Sequence, residues 1–141
     1  MNEHDNRLPA AALLGLAGGI RTTAPLAALT AHGRLVDGPA RWAVFGATAA
    51  ELAADKLPMI PPRTAPLPLL GRVAAAAAAG ATVGGTRGAV AAAVVGGAAT
   101  YGAKAARVAI VRRSGVPDPV VAVAEDAIAL GIGVLGARMV R

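Results

Sequence analysis

The chain has 141 residues, 55% of them apolar, a net charge of +6, no cysteine, and only three aromatic side chains, Trp42, Phe45 and Tyr101. That length allows one domain, and a mean hydropathy of +0.57 lies above the range of ordinary soluble domains. The missing cysteines exclude disulfides, thiolate metal sites and cysteine nucleophiles. The cations, scattered between apolar runs without stacking aromatics, argue against nucleic acid and for anionic lipid headgroups.

Residues 1–7 form a short polar tail, and residues 8–141 read as one membrane-embedded helical domain. The tail carries Glu3 and Asp5 where a secretory signal needs basic residues, so no cleaved leader is expected. The first apolar unit, about 8–31, is long enough to cross a bilayer core, which takes ~20 helical residues. Gly18, Gly19, Arg21 and Pro25 interrupt it, so the spacing predicts a helix broken near Arg21 and Pro25. A turn-rich loop over 31–41 leads to a second helix over about 40–57. The segment 58–68 holds five prolines and cannot be helical throughout. A third helix covers about 66–84, "GGTRG" over 84–88 is a tight turn, and a fourth helix covers about 88–111. After the loop 112–119, a fifth helix runs over about 119–138, opened by Asp118 and Pro119.

The expected fold is therefore an all-α, polytopic membrane bundle of four to five spans. With five, Arg7, Lys56, Arg63, Lys104, Arg107, Arg112 and Arg113 share the N-terminal side, against Arg34, Arg41, Arg87, Arg138 and Arg141. If 8–31 is instead a re-entrant pair of half-helices, four spans remain and the two sides balance. Small residues at four-residue spacing (Gly15 and Gly19; Gly80, Gly84 and Gly88) and Gly131, Gly133 and Gly136 suit close helix approach in lipid and a homo-oligomer.

The ionisable residues inside these spans are the candidate functional groups. Glu51 and Asp55 are four apart and share a helical face; Glu125 and Asp126 form a second acidic pair. Arg21 and Arg72 lie within spans, and Lys56 and Arg63 border them. Such groups normally face a protein interior or a wet cavity and pair with one another. The phrase Thr-Ala-Pro-Leu follows an arginine twice, at Arg21 and at Arg63. Each copy reads as a helix start, with a threonine able to cap and a proline in the first turn. A helix N-terminus beside an arginine needs an anion to answer both. The candidates are Glu51, Asp55, Glu125, Asp126, an anionic solute or a lipid phosphate. Two such half-helix starts also suit the internal repeats of transporters.

Other chemistry is thin. His4 and His32 are isolated, so no zinc site is expected. Ser114, the single serine, has no histidine near it in sequence, and the glycine runs lack a phosphate-loop ending. No cofactor is expected, and an enzyme acting on a lipid headgroup lacks a recognisable nucleophile or metal set.

Through "GGIRTTAPLAAL", "ELAADKLPMIPPRTAPLPLLGR" and "VVAVAEDAIALGIGVL", the chain resembles a family of small bacterial membrane proteins known as domain of unknown function 4126. The block "ELAADKLP…PPRT" is the most specific part. The resemblance covers nearly the whole chain and implies a multi-pass protein of the bacterial inner membrane, with no activity to carry over. The residues themselves point to a polar centre of Arg21, Glu51, Asp55, Lys56, Arg63, Glu125 and Asp126. It would pass or exchange a small solute, ion or proton; alternatively, its charges are ion pairs that fix helix packing in a structural or accessory protein.

Overall fold

The computed structural model describes residues 6–54 and 64–140. Among them the chain is all-helical: α1 (Arg7–Ile20), α2 (Ala24–Ala31), a 3-10 turn at Gly38–Ala40, α3 (Arg41–Ala54), α4 (Pro66–Ser114) and α5 (Asp118–Met139). The first apolar unit breaks where its glycines and Arg21 suggested. Residues 21–23 separate α1 from α2, and Arg21 is extended at φ −137°, ψ 121°. The second helix starts one residue after the expected position, and its expected last turn lies outside the described residues.

α4 consists of two helices that meet at Gly85, whose φ of 56° and ψ of −147° are not helical and reverse the chain. A left-handed φ of this kind favours a residue without a Cβ. The arms 66–84 and 86–114 then lie antiparallel. A Cβ on Gly80 would fall on the carbonyl of Gly88, one on Gly96 would meet the Ala76 methyl, and one on Gly97 would meet Val73. The expected third helix, glycine turn and fourth helix correspond to this hairpin, with its reversal confined to a single residue.

α1 fills the seam of the hairpin. It runs parallel to the second arm, where a Cβ on Gly15 would overlap the backbone of Ala92 and one on Gly19 that of Gly96. It runs antiparallel to the first arm, where Gly18 faces Ala76. Gly131 and Gly84, expected at packing positions, differ: nothing lies within 4 Å of a Cβ on Gly131, and Gly84 has only an ordinary 3.7 Å approach to the Arg7 carbonyl.

The direction of α2 decides the architecture. On α5, Gly136 packs on Ala10 and Leu14 of α1, and Gly133, less than one turn away, packs on Ala24 and Ala28 of α2. One apolar cluster likewise joins Ala10, Ala11 and Leu14 to Ala28, Leu29, Val83, Ala137 and Val140. α2 therefore returns beside α1 instead of continuing it, and the two form a hairpin with Arg21 at its tip. Of the expected four to five spans, the described helices include two, α4 and α5, that are long and apolar enough to cross a membrane. α1, at 14 residues, falls short of the ~20 a crossing takes, and α3 is described over 14 residues, up to Ala54.

Charged side chains lie inside the small-residue apolar core, and several large apolar side chains lie outside it. Arg21, Arg72, Thr100 and Asp126 are buried, whereas Leu67, Leu70, Val94, Val120, Ile128 and Leu135 are exposed, Leu67 to 79%. Buried ionisable groups on this scale require partners.

Candidate functional site

At the hairpin tip two helix ends meet with nothing in their own turns to answer them. α1 has no basic residue in its last turn and α2 no acidic residue in its first. The C-terminal carbonyls of one helix and the N-terminal N–H groups of the next need donors and acceptors from elsewhere.

Glu51, near the end of α3, supplies the acceptor. Its Oε1 accepts from the Thr22 N–H at 2.7 Å, and its Oε2 from the Thr23 N–H at 2.8 Å and the Thr23 hydroxyl at 2.6 Å. The carboxylate thus satisfies the two N–H groups that lead into α2, those of Thr22 and the N-cap Thr23. Thr23 occupies the N-cap position without a side-chain capping bond of its own, because its hydroxyl is turned to Glu51.

Arg72, on the first arm of α4, supplies the donor. Its Nη1 donates to the carbonyl of Ile20 at 2.8 Å, with Gly19 at 3.5 Å, and the Thr100 hydroxyl donates to Gly19 at 3.1 Å. Arg72 Nη2 also stands 3.8 Å from Glu51 Oε1, so the cation at one helix end and the anion at the other pair with each other.

Arg21 itself turns to α5. Its Nε donates to Oδ1 of Asp126, and its Nη2 lies 3.8 Å from Oε2 of Glu125. Glu125 also takes Arg107 Nη1 at 3.2 Å, and Arg107 forms a two-pronged pair with Asp118 at 2.7 and 2.6 Å. A file of alternating charge therefore runs from fully buried Arg21 through Glu125 and Arg107 to half-exposed Asp118.

The structure brings Arg21, Glu51, Glu125 and Asp126 to one place, while Asp55, Lys56 and Arg63 lie outside the described residues. Sequence reasoning left Arg72, Arg107 and Asp118 out of the polar centre, although each carries part of the network. The uncapped ends of α1 and α2 were the available signal for Arg72. The second Thr-Ala-Pro-Leu copy also starts a helix, with Ala65 at the cap and Pro66 in the first turn of α4. Among the described residues its threonine neither caps nor meets an acid: Thr64 Oγ1 accepts from Lys104 Nζ at 2.9 Å.

Among the described residues no group of three or more histidine, cysteine or acidic side chains is arranged to hold a metal. The arrangement presents the Thr22 and Thr23 N–H groups as an anion site already filled by Glu51. Comparison with protein families, with curated proteins and with solved structures found no match to this chain.

Proposed function

We propose that the chain is a multi-pass protein of a bacterial inner membrane, of the family it resembles, that passes or exchanges a small solute or ion at the tip of the α1–α2 hairpin. In this reading the two arms of α4, α5 and the segment containing α3 make four crossings. The α1–α2 pair enters and returns on the side of Arg7, Arg34 and Arg138.

One observation carries the proposal. Ionisable side chains of α3, α4 and α5 converge on a non-helical break that is shielded by protein, in a molecule that exposes large leucine, valine and isoleucine side chains on α4 and α5. Broken helices at membrane depth are tolerated where they are buried in protein or line a cavity, and half-helix ends are where transporters bind charged solutes. Glu51 is the displaceable group: an anionic solute takes its place on the Thr22 and Thr23 N–H donors, or a proton or cation takes the carboxylate. Arg21 and Arg72 keep the charge balance.

A specific observation favours the structural reading as well. Arg21 sits against Asp126, and Arg72 against both a helix end and Glu51, the contacts expected of ion pairs that hold the hairpin closed. Purified chain in liposomes separates the two, with proton flux followed by an entrapped pH dye and chloride efflux by an electrode. Transport predicts flux above protein-free vesicles that Glu51→Gln abolishes while helix content persists. Equal leak from protein and protein-free vesicles, with Glu51→Gln lowering only the yield of assembled protein, contradicts it.

A further inference from the structure

A groove of about 340 Å³ opens between α2, α3 and α5. Ala27 and Ala31 of α2, Phe45, Ala49 and Leu52 of α3 and Val134 of α5 form its walls. The hydroxyl among them, on Thr48, is spent inside α3 on the carbonyl of Val44 at 2.9 Å. The walls thus present only hydrocarbon to an occupant. From Phe45 to Leu52 is two helical turns, a length of ~10 Å.

The mouth of the groove differs in kind. One residue beyond Ala31, and one helical turn beyond Val134, a second pocket is lined by His32, Arg34, Ala137 and Arg138. His32 Nδ1 is bonded to the Ala28 carbonyl at 2.8 Å, which fixes the ring at the rim. Among the described residues the nearby acid is Asp37, whose Oδ1 lies 3.6 Å from where a Cβ of Gly33 would stand. Two arginines therefore border one end of an otherwise apolar slot.

We propose that this groove and its basic mouth bind an anionic glycerophospholipid, one acyl chain lying between α3 and α5 and the phosphate meeting Arg34 and Arg138. Charge complementarity selects this occupant over another apolar helix: basic pockets between membrane helices hold anionic headgroups, and the slot behind has no polar group left to pair. The site rests on the membrane reading above but not on transport. Its deep end, at Leu52, adjoins Glu51, so an occupied groove braces the helix that carries the capping carboxylate.

The test uses the full chain in non-ionic detergent micelles doped with phosphatidylglycerol or phosphatidylcholine of identical acyl chains, with thermal unfolding as the readout. Phosphatidylglycerol should raise the Tm at a concentration at least tenfold lower than phosphatidylcholine. The double variant Arg34→Gln, Arg138→Gln should erase that tenfold preference while keeping the lipid-free Tm. Ala49→Phe, at an exposed position on the groove wall, should remove stabilisation by both lipids. Unchanged preference in the double variant overturns the proposal. So does an equal shift from inorganic phosphate alone, or an Ala49→Phe effect confined to breaking a dimer of this chain. Fractionation without detergent tests the membrane reading separately: a chain that stays in the aqueous phase rejects that reading, whatever the lipid preference.

Discussion

The two Thr-Ala-Pro-Leu phrases begin helices in opposite surroundings. At Arg21 to Leu26 the arginine and proline are buried, and side chains from three other helices are drawn in: Glu51 to the N–H groups, Arg72 to the carbonyls behind them, Asp126 to the arginine. At Thr64 to Leu67 the proline and leucine are exposed, and among the described residues the half-buried threonine is met by Lys104. The same local chemistry starts a helix in both places. Only burial turns that start into a demand for charges from elsewhere, because water is not there to solvate the helix ends.

That contrast breaks most sharply at Arg21. Arg21→Gln leaves Asp126 buried without its guanidinium, a loss of about 3–5 kcal/mol, and thermal unfolding in detergent should show a large fall in Tm. Adding Asp126→Asn should recover much of it. Full stability in the single variant would mean that the pair is dispensable. Next in size is Gly19→Val at the seam, where the side chain collides with the backbone of Gly96 and Thr100; overpacking of this kind costs about 1–3 kcal/mol. Gly131→Val, with open space around it, should be near neutral in the same assay.

Glu51→Ala removes the cap on α2 and should cost about 1–2 kcal/mol. Glu51→Gln should lose less, because one oxygen still accepts. At the second copy Lys104→Ala should cost less than about 1 kcal/mol, as exposed contacts do. Equal losses for Glu51→Ala and Lys104→Ala would erase the distinction between the two copies.

Much of the local structure was readable in advance because glycine and proline act through covalent geometry. The break before Pro25, the reversal at Gly85 and the start at Pro66 all follow from what those residues forbid or allow. The return of α2 beside α1 was not fixed in this way. An apolar stretch has the same hydropathy whether it crosses or doubles back, and the choice is made by small residues on α5, Gly133 and Gly136, that accept both helices. The site divides along the same line. Arg21, Glu51, Glu125 and Asp126 stand out as charges in apolar runs. Arg72 serves backbone carbonyls about fifty residues away in sequence, and no pattern along its own helix reveals that. Arg107 looked like a flanking charge because its partners, Asp118 and Glu125, belong to the next helix.

The account depends most on the α1–α2 hairpin folding back inside a membrane, and the cysteine-free chain makes this directly measurable. Single cysteines at Asn6, Leu35 and Ser114 would be probed in sealed, oriented membrane vesicles with a thiol reagent that cannot cross the bilayer. The account predicts that Asn6→Cys and Leu35→Cys label from the same side and Ser114→Cys from the other. Labelling of positions 6 and 35 from opposite sides would contradict it.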